Sequence, residues 1–210
     1  MTPSALLRAN LIIAVLRARD AADYDRVIDV LVENGVHLVE LTLSTPNTFD
    51  HLPNLVARGG EDVEIGLGTI TTVEQAQRAI DAGARYLVTP VTNLDIVALA
   101  VRSGVPVFSG GLTPTELFSA WQAGATAVKI FPAQTVGPQF GAHLRGPFPE
   151  LQFVPSGGVT FADIPLWLGA GAVAVSLGGP LIGDALKGGS LAELAARTRV
   201  AVEVASGART

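Results

Sequence analysis

The sequence predicts a single-domain (β/α)8 barrel over residues 1–210, with a short helix ahead of the first strand. Three observations point there. A small turn recurs at Gly35, Gly83, Gly104, Gly124 and Gly171, each time after a helical pattern and before a short apolar run. That is where a glycine in the left-handed conformation ends a helix. The gaps between these glycines are 48, 21, 20 and 47 residues, and each long gap holds a further turn, at Gly59-Gly60 and at Gly146-Pro147. The rhythm is that of a helix–strand repeat. Second, eight apolar runs occupy residues 11–16, 38–43, 63–67, 86–89, 105–108, 125–130, 152–155 and 172–177. They are mostly continuous rather than alternating, as expected of parallel strands covered by helices. Third, Leu16-Arg17-Ala18-Arg19-Asp20 follows the first run, where an open doubly wound sheet would carry G-x-G-x-x-G. Eight such units close into a barrel.

Taken in order, run 11–16 is followed by the amphipathic stretch 21–33. Runs 63–67, 86–89 and 105–108 lead to amphipathic stretches at Val73–Asp81, Leu94–Arg102 and Pro114–Gln122. Pro155-Ser156-Gly157-Gly158-Val159 closes the seventh strand ahead of a helix from about Phe161, and Ser176-Leu177-Gly178-Gly179-Pro180 closes the eighth ahead of another helical stretch. Ser190 and Glu193 form a capping box that opens a last helix, and residues 206–210 should fray.

Composition narrows the function classes. Lys and Arg number 14 and Asp and Glu 19, so the net charge is 14 − 19 = −5, and 49% of residues are hydrophobic. With a charged fraction of 16% and a mean hydropathy of +0.43, the chain has a sizeable core and is not disordered. An acidic chain without a Lys/Arg run offers no electrostatic footprint to nucleic acid or an anionic membrane. The lack of cysteine excludes a disulfide framework and a thiolate nucleophile. His37, His51 and His143 have no i,i+4 partner, which argues against a histidine metal site. Residues 164–183 are uncharged over a span long enough for a bilayer, but Pro165, Pro180 and five glycines break them into a helix end, a buried strand and a turn. Six apolar residues before Arg17 are too few for a signal peptide, so the expectation is a soluble, cytoplasmic protein.

Active sites of such barrels form at the C-terminal strand ends. The polar or special residues there are Arg17, Glu40 with Thr42, Gly68-Thr69, Thr89-Pro90, Ser109-Gly110, Lys129, Ser156-Gly157-Gly158 and Ser176. Lys129 lies between Val128 and Ile130, so alternation turns it into the lumen. Burial there should pull its pKa down, and a neutral amine is what imine formation with a ketone needs. Glu40 shares a face with Thr42, and a carboxyl in the lumen should have a raised pKa and shuttle protons. The plain alternative makes the two residues an ion pair across the barrel, and the readings are compatible. The glycine pairs Gly157-Gly158 and Gly178-Gly179, each ahead of a helix, let backbone N–H groups approach a phosphate or carboxylate. Arg17 reads as a second anion ligand or as the partner of Asp20 or Asp23. His37 sits at the stabilising end, Trp121 and Trp167 read as helix packing, and Asp23, Asp25 and Asp29 as a solvated helix face.

Val39-Glu40-Leu41-Thr42, Gly66-Leu67-Gly68-Thr69, Val88-Thr89-Pro90, Thr113-Pro114-Thr115-Glu116, Val128-Lys129-Ile130-Phe131-Pro132, Gly137-Pro138-Gln139-Phe140 and Pro155-Ser156-Gly157-Gly158 follow one another collinearly. In these the chain resembles the 2-keto-3-deoxy-6-phosphogluconate / 4-hydroxy-2-ketoglutarate aldolase family. The resemblance implies a metal-independent class I aldolase without a cofactor, acting as a homotrimer on a small keto acid. It implies that Lys129 forms the imine with the keto carbon and that Glu40 is the acid/base. It also places Thr69 and Phe131 at the pyruvyl part, with Arg17, Gly158, Gly178 and Gly179 near a distal phosphate; Thr42, Pro90, Gly157 and Ser176 complete the expected substrate site. Products would be pyruvate and glyceraldehyde 3-phosphate, or pyruvate and glyoxylate from 4-hydroxy-2-ketoglutarate. The chain departs from common family residues at Ser44, Leu67, Ser109, Gln134 and Gly179. Three competing expectations are the related galactonate-type aldolase, a phosphosugar isomerase or epimerase, and a non-catalytic sugar-acid binding protein on the same barrel.

Overall fold

A computed structural model describes Ser4, Leu6 and residues 9–208. Eight parallel strands, β1 (Ile12–Leu16), β2 (Leu38–Thr42), β3 (Glu64–Gly68), β4 (Leu87–Val88), β5 (Val107–Gly111), β6 (Ala127–Ile130), β7 (Phe153–Pro155) and β8 (Val175–Leu177), run in the order β7-β6-β5-β4-β3-β2-β1-β8. Val173 N–H donates to Phe153 C=O at 3.0 Å, which joins the two edges and closes the barrel. The helices alternating with the strands are α1 (Tyr24–Glu33), α2 (Thr48–Gly59), α3 (Val73–Asp81), α4 (Leu94–Arg102), α5 (Pro114–Gln122), α6 (Pro138–Arg145), α7 (Ile164–Gly169), α8 (Gly179–Ile182) and α9 (Leu191–Gly207). This is the (β/α)8 barrel that the repeat predicts.

Local chemistry explains the helix ends. Thr72 with Gln75, and Thr113 with Glu116, each exchange side-chain and backbone hydrogen bonds as reciprocal caps of α3 and α5. Asn93 Oδ1 accepts from Asp95 and Ile96 N–H at the start of α4. All five repeat glycines have φ between 69° and 100°, a region that side chains with a Cβ rarely enter, so each helix ends where its glycine stands. The uncharged stretch 164–183 resolves into α7, β8 and α8, and no helix among the described residues is long and apolar enough to cross a membrane.

The core has two parts. Outward-facing strand residues such as Val39, Leu41, Ile65, Leu67, Val128 and Ile130 pack under the helices. A separate plug of Ile13, Leu38, Tyr86, Val88, Phe108, Ala127, Val154 and Ala174 fills the lower lumen, and Leu6 packs against it. Tyr86 and Phe108 rings lie 5.2 Å apart.

Several expectations need correction. Strand five does not end at Phe108 but runs on through Ser109-Gly110-Gly111, because Gly110 lies against the Thr89 and Pro90 backbone, where a Cβ would come within 2.5 Å. Ser190 caps α9 through Glu193 N–H, but the reciprocal half is missing because Glu193 reaches instead to Arg197, 3.7 Å away. The last helix includes Ser206 and Gly207 rather than fraying there, while residues 209–210 are outside the described set. Asp25 and Asp29 are not merely solvated: Asp25 meets His51 at 2.7 Å and also Arg58, and Asp29 meets Arg58 at 2.6 Å, across the α1–α2 seam. The helix expected ahead of β1 falls largely outside the described residues; Asn10 N–H bonds Leu6 C=O at 2.8 Å. Trp167 is buried against Phe153, and half-buried Trp121 also packs against the core, as expected of helix packing.

Candidate active site

One cleft of about 290 Å3 opens at the C-terminal mouth of the barrel. Arg17, Glu40, Thr42, Thr69, Pro90, Lys129, Phe131, Gly157, Gly158, Ser176, Gly178 and Gly179 all line it, whereas Gly68, Thr89, Ser109 and Gly110, also at strand ends, do not. Ser156, a polar strand-end residue, also lines it, as do Val15, Val159 and Pro180, to which the sequence points less directly. Alternation from Ile13 would have turned Val15 inward, and Pro180 adjoins a glycine already suspected.

Lys129 and Glu40 reach each other across the lumen from β6 and β2, two strands that are not neighbours in the sheet. Lys129 Nζ stands 3.5 Å from Glu40 Oε1, with side-chain exposures of 8% and 2%. A pair this dry is held by mutual attraction, because either charge alone would be costly to desolvate. Lys129 Nζ also lies 5.2 Å from the centre of the Phe131 ring, inside cation–π range. Space for the carboxylate comes from β3: a Cβ on Gly68 would overlap Glu40 Oε1. On the far side Gly110 is in register with Lys129, and its missing side chain lets β5 lie against the Thr89 and Pro90 backbone.

Thr42 Oγ1 donates to Leu16 C=O at 3.0 Å and accepts from Ser44 Oγ at 3.0 Å, which fixes its rotamer beside Glu40. Thr69 has φ 64°, an unusual conformation for a β-branched residue, and such strain concentrates at functional sites. The loop after β7 is tied to the loop after β6 by Ala133 N–H to Ser156 C=O (2.7 Å) and Gln134 N–H to Gly157 C=O (3.0 Å). Gly157 and Gly158 have φ 87° and 77°, and a Cβ at Gly158 would overlap the Gln134 amide. Glycine is therefore required twice in the loop that borders the cleft.

Arg17 is exposed at the cleft rim and pairs with no carboxylate among the described residues. Asp20, its suspected partner, is occupied by Ala22 N–H at 3.0 Å and by Asn47 at 2.5 Å, and these bonds hold its carboxyl below the usual range. His37 bonds Asp62 C=O at 3.1 Å, away from the cleft.

A buried lysine against a glutamate at the mouth of such a barrel is the equipment of an enzyme acting on small anionic substrates. The chain belongs to the KDPG and KHG aldolase family, whose model matches residues 4–197. It is 32% identical to the 2-dehydro-3-deoxy-6-phosphogalactonate aldolase of Escherichia coli (strain K12), over 81% of this chain and 83% of that one. It is 34% identical to the 2-dehydro-3-deoxy-phosphogluconate aldolase of Treponema pallidum, over 70% and 69%. Among solved structures it resembles a KDPG aldolase from Legionella pneumophila with pyruvate captured as a covalent carbinolamine: TM-score 0.84, 26% identity, 97% of this chain and 98% of that chain. Family membership favours the lyase over the isomerase and the non-catalytic binding protein.

Proposed function

We propose that the chain is an imine-forming aldolase that splits a 6-phosphorylated 2-keto-3-deoxy sugar acid into pyruvate and glyceraldehyde 3-phosphate. The observation that carries this is the buried contact of Lys129 with Glu40 at the cleft floor. Glu40 takes the ammonium proton, and the freed amine adds to the keto carbon; loss of water from the carbinolamine leaves a cationic imine. Glu40 gives its proton to the hydroxyl that leaves as water. The C3–C4 bond then breaks, its electron pair forming the enamine double bond as the imine π pair moves to nitrogen, while the C4 hydroxyl passes its proton to Glu40 and becomes the aldehyde. Glu40 returns a proton to C3 of the enamine, and water releases pyruvate and restores Lys129. Thr69 and Phe131 border the pyruvyl half. Arg17 with the Gly157-Gly158 and Gly178-Gly179 loops borders the distal half, where charge-assisted hydrogen bonds to a phosphate are strong.

The gluconate-type and galactonate-type substrates differ at C4, the carbon that becomes the aldehyde, so both give the same products. Relatives of both kinds support the pair of readings, with 4-hydroxy-2-ketoglutarate as a weaker third substrate. We further propose that the chain acts as a homotrimer in the cytoplasm. Borohydride reduction in the presence of pyruvate, followed by intact and peptide mass, should yield one covalent adduct on Lys129. Unmodified protein in repeated trials would sink the imine mechanism. Comparing kcat/KM on the two C4 epimers and on 4-hydroxy-2-ketoglutarate then ranks the substrates.

A further inference from the structure

Two polar atoms lie buried where the apolar plug meets the cleft, and neither meets a side-chain group at hydrogen-bonding geometry among the described residues. They are Glu40 Oε2 and the Tyr86 hydroxyl. Both residues are 1% exposed. Each unsatisfied buried group is costly, so such atoms call for a reason.

The inward face of β3 brings them together. Gly66 is in register with Glu40, and a Cβ there would come within 2.5 Å of Tyr86 Cζ, the carbon that bears the hydroxyl. Two residues further along the same face, a Cβ on Gly68 would lie 2.6 Å from Glu40 Cδ. Residues two apart on a strand are about 6.6 Å apart, so phenol and carboxyl occupy consecutive inward positions above one glycine track. Burial holds the Tyr86 phenol well above its usual pKa of 10.0, the charges of Glu40 and then Glu64 raise it further, and a smaller pull from the Gly66 backbone opposes them. The phenol therefore stays a donor, and its nearest charged acceptor in the direction of the cleft is Glu40.

We propose that Tyr86 is a positioning residue for Glu40, its hydroxyl being the donor that the open carboxylate oxygen takes when Glu40 turns from Lys129 toward the substrate. This rests on the acid/base reading of Glu40 above. The terminal torsion of a glutamate is soft, so the carboxyl turns without moving the strand. A donor to the ionised carboxylate stabilises that form and lowers its affinity for a proton. It thus takes over from Lys129 as the partner of the carboxylate once the lysine nitrogen is bound up in the imine. The charged groups that face the pair are Lys129 from β6, Glu64 from the lower end of β3, and Arg17 at the rim beyond β1.

The test is Tyr86→Phe, which keeps the ring against Phe108 and Gly66 and removes only the hydroxyl. The carboxyl titration of Glu40, followed by carbon-13 NMR of glutamate-labelled protein and assigned by difference against Glu40→Gln, should move to higher pH. The acid limb of pyruvate methyl-proton exchange should move with it, while borohydride trapping of pyruvate on Lys129 stays at the wild-type level. A Glu40 titration that superimposes on wild type overturns the proposal, whatever the exchange rate does. A hydroxyl that is merely structural would shift the thermal midpoint and leave the titration in place, which also overturns it. Exchange that survives in Glu40→Gln overturns instead the acid/base reading, and the NMR comparison still decides whether Tyr86 donates to Glu40.

Discussion

Leu38 and Glu40 look into the lumen from one strand, Ala127 and Lys129 from another, and Ala174 and Ser176 from a third. Each pair is one repeat of the strand pleat apart, about 6.6 Å. The lower members belong to a dry plug with Ile13, Tyr86, Val88, Phe108 and Val154; the upper members line the cleft. The difference teaches that one set of strands carries two jobs along its length. Apolar filling closes the bottom of the barrel and pins the strands. The layer above can then hold a lysine and a glutamate at a fixed distance with little water. Neither layer works without the other, since an unfilled lumen would hydrate the ion pair.

The sharpest way to break the upper layer alone is Lys129→Arg. The guanidinium keeps the charge beside Glu40 but stays protonated and cannot form the imine. Cleavage should fall about a thousandfold or more, ~4 kcal/mol of barrier, with the thermal midpoint little changed. Retention of more than about a tenth of the activity would remove Lys129 from the nucleophile role.

Phe108→Ala attacks the lower layer. Phe108 is 3% exposed and packs on Tyr86, so its loss should cost about 3–5 kcal/mol of stability, read from urea denaturation. Below the new midpoint, pyruvate trapping per folded molecule should persist. If trapping falls as steeply as stability, the two layers are not separable.

Arg17→Ala tests the rim of the cleft, far from the plug. KM for the phosphorylated substrate should rise roughly tenfold, the loss of a single exposed charge-assisted contact, with imine formation from pyruvate unchanged. Equal kcat/KM for phosphorylated and unphosphorylated keto acids in the wild type would show that the glycine loops are only turns.

The smallest effect is alkaline. Burial raises the phenol pKa of both Tyr86 and Tyr24 above 10.0 in the folded chain, whereas the unfolded chain ionises them near that value. The stability they confer is complete below pH 10 and is lost as pH rises beyond it, because only the unfolded state then releases protons. Urea midpoints should drop between pH 9 and pH 11, and Tyr86→Phe should flatten part of that drop. An identical pH slope in the variant would show that the plug admits water.

Much of this layout is legible in the chain. Continuous apolar runs and the recurring glycines mark strands and helix ends, because parallel strands buried on both faces need such runs and a left-handed helix end favours glycine. Alternation alone puts Glu40 with Thr42, and Lys129, on the inner face, and the twelve residues chosen for the site share one cleft. Strand ends were less legible. β5 continues through Ser109-Gly110-Gly111, since glycine reads as a turn until a neighbouring backbone, here that of Thr89 and Pro90, is seen to require it. The Asp25–His51–Arg58 seam was invisible because its partners come from two helices whose azimuths depend on packing.

The periodicity of the sequence determined which side of each strand faces the lumen, and so which residues could take part in chemistry. It could not determine which of them meet, because a two-residue period carries no information about position around a closed barrel. That Lys129 reaches Glu40 to 3.5 Å, and that the Tyr86 ring and the Glu40 carboxyl take neighbouring places over β3, follows from barrel closure and from the space left at Gly66 and Gly68. Only packing in three dimensions sets those distances.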